Sequence, residues 1–119
     1  MNAPRKRVFR VFWRDYVTGE GVSSSEPESL AGEHIAPLAE RLLVAPDNYI
    51  GVIDTNELIL QVWCAEADGP VQLELLYPED GGMLHLSLPL AEALALLERL
   101  PQAFDESLLP GAQFRMSGS

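Results

Sequence analysis

From Asn48 onward, apolar residues recur at every second position, and this alternation is the feature that most constrains the fold. Four alternating segments follow one another, separated by clusters of turn residues at 54–56, 67–70 and 78–82. A period of two is typical of strands with one buried face, and short turns between such strands favour antiparallel pairing. The pattern therefore predicts a β-meander with an apolar side and a mixed side.

The first turn decides which residues share a face. A two-residue loop at Thr55-Asn56 would set Asp54 against Glu57 and break the match between the apolar faces. A three-residue loop preserves that match, and we expect Asn56 in the left-handed conformation, which asparagine accepts better than most residues. The predicted inward set is Leu58, Leu60, Val62, Leu73, Leu75, Leu84, Leu86 and Leu88. The predicted outward set is Ile59, Gln61, Trp63, Gln72, Glu74, Leu76, His85 and Ser87.

The flanking segments add one strand and two helices. Residues 7–16 alternate and are rich in Val, Phe and Trp, so we expect a strand. A helix-start pattern at Ser25-Glu26-Pro27-Glu28 precedes apolar residues at helical spacing, and Pro37 predicts a kink or restart near Ala36. A second helix is expected over 89–100 because Leu90, Leu94 and Leu97 form one stripe between Pro89 and Pro101.

The element order is therefore β-α-β-β-β-β-α. We expect a single α+β domain over residues 1–119, with an antiparallel meander of about five strands and both helices mainly on one face. Residues 1–6 and 115–119 are expected to be flexible tails.

The charges are sorted along the chain. The first 14 residues carry five basic side chains and no acidic one, whereas the remainder carries all 18 acidic and three basic residues, for a net charge of −10. An acidic body argues against nucleic acid as the main ligand and favours a cationic protein partner. No apolar run is long enough to span a bilayer, and one cysteine excludes an internal disulfide, so we expect a cytoplasmic protein without a membrane contact.

The residue types needed for catalysis do not form a recognisable pattern. His34 and His85 lack the spacing of a zinc site, and Cys64 continues an apolar strand face, so we interpret it as a small core residue. Asp54 and Glu57 can meet at a hairpin tip, but one such pair is more typical of a solvated turn. We therefore expect no enzyme activity, no metal and no cofactor.

The better candidate for function is the mixed side of the sheet. A tryptophan and two aliphatic side chains surrounded by polar groups have the composition of an interaction patch. The alternative is that the first strand, the tail or a helix covers this side, which would make Trp63 a core residue. The candidate partner-binding residues are Trp63, Leu76, Ile59, Gln61, Glu74, His85, Asp54, Glu57 and Glu66.

Three segments carry a resemblance to known proteins: Tyr49–Asp54 (YIGVID), Leu58–Trp63 (LILQVW) and Leu88–Pro101 (LPLAEALALLERLP). They resemble a group of small uncharacterised bacterial proteins over roughly residues 48–101, and Gly51, Asp54 and Gln61 are the most specific part. This likeness implies no activity. The size, charge and element order are also similar to those of acidic immunity proteins that neutralise bacterial toxins.

Two functional hypotheses follow from the sequence. The first is a non-enzymatic binding protein, an immunity-type inhibitor that occludes a basic toxin or effector with Trp63 and Leu76 as anchors. The second is a homodimeric structural or regulatory protein that uses the same face.

Overall fold

The computed structural model describes residues 7–79 and 81–116. Eight strands and two α-helices follow the order β1-β2-β3-α1-β4-β5-β6-β7-α2-β8. The strands are β1 (Val8–Arg14), β2 (Gly21–Val22), β3 (Glu28–Ala31), β4 (Tyr49–Ile53), β5 (Ile59–Cys64), β6 (Val71–Tyr77), β7 (Gly82–Leu88) and β8 (Gln113–Met116). The helices are α1 (Ile35–Leu42) and α2 (Leu90–Glu98).

All strands belong to one antiparallel sheet. Its order is β2-β1-β4-β5-β6-β7-β8. Strand β3 pairs with the same edge of β1 as β2 does: β3 pairs with residues 8–11 of β1, and β2 pairs with residues 13 and 14. Strands β4 to β7 form the predicted meander, so the α+β class and the antiparallel architecture are confirmed. Strand β1 extends this meander by pairing with β4.

The register of the β4–β5 hairpin keeps the apolar faces matched, as predicted, but the loop differs in detail. Val52 pairs with Leu60, and the Asp54 amide donates to the Leu58 carbonyl at 2.9 Å, so the three loop residues are 55–57. The left-handed residue is Glu57, with φ 67°, and the prediction of Asn56 was wrong. The left-handed position closes a three-residue loop at its last residue, which here is Glu57.

The segment predicted to begin the first helix forms a strand. Residues 28–31 pair with β1, and Leu30 lies opposite Phe9 with its side chain against the core. The Ser25 hydroxyl bonds the Ser23 hydroxyl at 2.8 Å in a turn and does not cap a helix. Helix α1 instead begins at Ile35, so Pro37 lies in the first turn, where no hydrogen bond is lost.

The core lies between one face of the sheet and the two helices. Helices α1 and α2 contact each other, and both face the same side of the sheet. Within the predicted inward set, Leu60, Val62, Leu73 and Leu75 are fully buried. Leu58, Leu84, Leu86 and Leu88 are partly buried against the same cluster.

The segment after α2 closes one end of this core. Phe104 stacks on Phe9 with ring centroids 6.1 Å apart, and Leu109 is buried. The chain then reaches β8, which adds an edge strand beside β7 that the sequence pattern did not indicate. Strand β8 includes residues 115 and 116, which differs from the boundary expected for the C-terminal tail. Residues 1–6 and 117–119 lie outside the described part of the chain.

Candidate functional site

The sheet face turned away from the helices is called here the outer face. Cross-strand pairing arranges its side chains in three rows that run across the sheet from β1 to β7 or β8. The rows are Arg14, Tyr49, Trp63, Gln72 and Ser87; Phe12, Gly51, Gln61, Glu74, His85 and Gln113; and Arg10, Ile53, Ile59, Leu76, Met83 and Arg115.

The outer face is not covered by any helix or strand of the described chain. Strand β1 lies beside β4 as part of the sheet, and both helices pack on the opposite face. Trp63, Ile59 and Leu76 are partly buried by their neighbours on the sheet and remain partly exposed. The first strand and the helices therefore do not seal Trp63 in a core. The N-terminal tail, the third element considered as a cover, lies outside the described residues.

The buried ring of Phe12 forms one border of the exposed region. Gly51 lies directly opposite Phe12, and a Cβ atom at position 51 would come within 2.0 Å of the Phe12 Cζ atom. The ring occupies the space that this missing side chain leaves, and only 5% of Phe12 is exposed. Tyr49 packs edge-on against the same ring at 6.3 Å between centroids. Gly51 thus allows an aromatic residue to pack closely on the outer face.

Beside this ring lies an open concavity of about 590 Å³ that Trp63 helps to line. Three aromatic rings and two carboxylate side chains share its walls with polar and aliphatic groups. The residues that form it are Phe12, Ser24, Asp47, Tyr49, Ile59, Gln61, Trp63 and Glu74. A concave site with mixed apolar and polar walls is the usual form of a ligand or side-chain pocket.

A hydrogen-bonded group lies on the β6–β7 side of the outer face. The Gln72 Oε1 atom accepts from the Ser87 hydroxyl at 2.7 Å and lies 2.8 Å from the His85 Nε2 atom. Because a carbonyl oxygen only accepts, the Nε2 atom carries the hydrogen of this bond. The contact fixes the position of the imidazole next to Glu74, its cross-strand neighbour.

Most of the predicted partner-binding residues come together on this surface. Six of them share the outer face: Trp63, Leu76, Ile59, Gln61, Glu74 and His85. Glu57 and Glu66 are exposed but lie beyond opposite ends of β5, in the loops before and after it. They belong to the periphery of the surface.

Asp54 is the exception, because its side chain is buried. Only 4% of the residue is exposed, and its carboxylate accepts backbone hydrogen bonds from Asn56 and Leu58 at 2.8 Å and from Phe104 at 2.6 Å. The carboxylate thereby ties the β4–β5 loop to the segment after α2. Asp54 therefore stabilises the fold and does not belong to a partner-binding surface. Its carboxylate accepts backbone hydrogen bonds, whereas the carboxylate of Glu57 pairs with Arg10.

The basic residues in and just before β1 have partners within the chain. The Arg7 guanidinium donates to the carbonyl oxygens of Leu100 and, at 3.0 Å, of Glu98 at the C-terminal end of α2, where the helix dipole favours a positive charge. Arg10 forms an ion pair with Glu57 at 2.6 Å. Arg14 lies 5.9 Å from the centre of the Tyr16 ring. Arg10 and Arg14 flank the outer face at its β1 margin.

The remaining residues considered for chemistry lie apart from one another. Cys64 is 1% exposed in the core, and burial, with the charges of Asp47 and Asp68, raises the pKa of its thiol. A protonated, buried thiol is a poor nucleophile. His34 is exposed before α1, with its Nε2 atom 3.9 Å from Glu33. Among the described residues, no three His, Cys, Asp or Glu side chains form a group suited to a metal ion.

Sequence reasoning did not identify the part of the outer face contributed by β1 and β4. Phe12, Tyr49 and Asp47 border the concavity, and Tyr49 is the direct cross-strand neighbour of Trp63. The signal was present in the alternation of β1, which places Phe12 on the side opposite the core residues Phe9 and Val11. The missing information was the β1–β4 register.

Two further findings concern membrane-spanning helices and similarity to known proteins. None of the helices in the described part of the chain has the length and apolar character required to cross a bilayer. No family model matches the chain, and comparisons with the curated proteins and with the solved structures gave no significant match.

Proposed function

We propose that this chain is a non-enzymatic protein-binding module whose outer face docks a basic partner protein. The single observation that carries this proposal is the outer face, which no helix or strand of the described residues covers and where Trp63 and neighbouring aliphatic side chains are partly exposed. Interfaces concentrate their binding energy in a few large side chains of this kind near the centre of the contact. The anchors in this proposal are Trp63 and Leu76.

The proposed mechanism is occlusion by a rigid surface. Strands β4 to β7 are fully paired, so the side chains of the outer face are presented on a scaffold that loses little freedom on binding. A preorganised surface of this kind binds without a conformational change in its backbone. A partner whose own functional site is covered by this face would be inhibited.

Charge supports a basic partner. The net charge of −10 attracts a cationic protein over long range, while Glu74 lies in the middle of the outer face. Glu66 adds exposed negative charge at its periphery, whereas the charge of Glu57 is balanced by Arg10. Association with such a partner should therefore become slower as the salt concentration rises.

An immunity-type inhibitor of a bacterial toxin or effector, acting in the cytoplasm, is the form of this function that we propose. The test is growth rescue. We expect a reading frame for a basic toxin-like protein beside the gene of this chain, and its product is co-expressed with this chain as wild type, as Trp63→Ala and as Trp13→Phe. Trp13 is the matched control because it lies on the opposite face of the sheet, against the core. We expect wild type and Trp13→Phe to restore growth and Trp63→Ala to fail at equal expression. Rescue by Trp63→Ala would refute the role of the outer face.

A homodimer through the same face is the second candidate, and one observation favours it. The outer face carries arginines at its margins, at positions 10, 14 and 115, and the carboxylate of Glu74 in its middle row. Two such faces related by a two-fold axis can place arginines of one copy opposite carboxylates of the other. Sedimentation equilibrium distinguishes the two candidates, because a dimer mass that Glu74→Arg abolishes supports the homodimer, and a concentration-independent monomer eliminates it.

A further inference from the structure

The concavity around Trp63 has walls of two kinds. Tyr49 and Trp63 are direct cross-strand neighbours, and the buried ring of Phe12 packs against Tyr49. Two carboxylate side chains, Asp47 and Glu74, border the same space. No basic side chain contributes to its walls among the residues that the structure describes.

We propose that this concavity is a receptor site for one arginine side chain of the partner protein, held between the Trp63 and Tyr49 rings and the carboxylates of Glu74 and Asp47. The inference rests on the proposed function and names the chemistry of the contact at its centre. A cation over an aromatic face is attracted by the ring quadrupole. A carboxylate at the rim adds a charge-assisted hydrogen bond.

The chain itself shows that its aromatic residues accept guanidinium groups. The Arg41 guanidinium lies 5.3 Å from the centre of the Trp13 ring on the core side of the sheet. Arg14 makes the corresponding contact with Tyr16 at 5.9 Å. Neither of these two internal contacts involves Trp63, whose ring borders the open concavity.

The shape of the site favours arginine over other cationic groups. A guanidinium is planar, stacks on rings and donates five hydrogen bonds, and it is less strongly hydrated than the ammonium group of lysine. The Gln61 side chain, which also borders the concavity, offers a further acceptor. An apolar guest would leave two carboxylates without a partner in a newly covered site, which is unfavourable.

The test uses N-acetyl-arginine amide as the probe and the uncharged N-acetyl-citrulline amide as its isosteric control. Two-dimensional NMR follows the indole N–H signals of Trp63 and Trp13 during titration of the full-length chain. We expect a saturable shift of the Trp63 signal in the millimolar range with the arginine probe and a much weaker effect with citrulline. The Trp13 signal should move little, because Arg41 already lies over that ring.

Two substitutions locate the charge that the probe contacts. Glu74→Gln should weaken binding of the arginine probe about two- to fivefold, the loss expected for an ion pair in contact with solvent. Glu40→Gln is the matched control, since Glu40 is exposed on α1 at the opposite face, and it should leave the titration unchanged. Equal shifts with both probes, equal shifts of both tryptophans, or no effect of Glu74→Gln would overturn the proposal.

The outcomes also separate this inference from the proposed function. If the arginine probe leaves the Trp63 signal unchanged while growth rescue still requires Trp63, the arginine site is refuted and the docking surface stands. If the probe binds as expected but Trp63→Ala rescues growth as well as wild type, the arginine site stands and the proposed role of the outer face in inhibition is refuted.

Discussion

The substitution Gly51→Ala tests the construction of the outer face more sharply than any other single change. An alanine Cβ would lie 2.0 Å from the Phe12 Cζ atom and 2.4 Å from both Cε atoms. These distances are far below van der Waals contact, so the ring must leave its position. Phe12 is 5% exposed in the native protein, and its displacement therefore returns most of a phenylalanine side chain to water.

The expected magnitude follows from two opposing contributions. Exposing a buried phenylalanine costs about 1.5–3 kcal/mol. Replacing glycine by alanine stabilises the folded state by about 0.4–1 kcal/mol, because the unfolded chain loses conformational freedom and Gly51 has no positive φ that alanine would strain. We therefore expect Gly51→Ala to lower the free energy of unfolding by about 1–2 kcal/mol.

A double-mutant cycle with Phe12→Ala separates this clash from any other effect of alanine at position 51. The free energy of unfolding is measured by urea denaturation for the wild type, both single variants and the double variant. Without the ring, Gly51→Ala should cost nothing or stabilise slightly. The reasoning is refuted if Gly51→Ala has the same effect in both backgrounds, because Phe12 then does not occupy the space above Gly51.

Three further predictions concern groups inside the fold. Asp54→Asn should lower the free energy of unfolding by about 1.5–3 kcal/mol in urea denaturation, because it removes the charge that accepts three backbone N–H bonds. The control is Glu57→Gln, at an exposed ion pair, which should change the free energy of unfolding by less than about 1 kcal/mol. Burial alone would raise the pKa of Asp15, but hydrogen bonds from Val17, Asn48 and Thr18 outweigh it and hold this pKa below the usual 3.8. The stabilisation that the Asp15 carboxylate contributes is therefore complete above about pH 4 and is lost as the pH falls through the lowered pKa. In acid, the urea midpoint of Asp15→Asn should accordingly fall less steeply than that of the wild type. Midpoints that fall in parallel with decreasing pH would contradict this. Cys64, buried and with a raised pKa, should react with a thiol reagent only on unfolding; rapid labelling of the native protein at neutral pH would show that its burial is wrong.

The meander was predictable because its information is local. Alternation from Asn48 to Leu88 fixes which side chains share a face, and short turns leave antiparallel pairing as the simple solution. The outward residues from Ile59 to Ser87 were therefore placed correctly before any pairing partner was known. The error at the first hairpin was confined to the position of the left-handed loop residue, because moving it from Asn56 to Glu57 leaves the same side chains on each face of the strands.

The errors arose where a contact distant in sequence overrides a local signal. Ser25, Pro27 and Glu28 have the composition of a helix start, but Leu30 pairs with Phe9, some twenty residues earlier, and packs partly buried against the core. The role of Asp54 could not be predicted either, because one of its donors is the amide of Phe104. Strand β8 is four residues long and has too few positions to display a period.

The central claim is that the outer face of the sheet is open and that Trp63 is accessible on it. Acrylamide quenching of the Trp13→Phe variant tests it most directly, because Trp63 is then the only tryptophan in the chain. We predict that the native variant is quenched readily and that unfolding in urea increases the quenching constant only modestly. Weak quenching that rises steeply on unfolding would show that Trp63 is enclosed, and the docking surface proposed for this protein would then not exist.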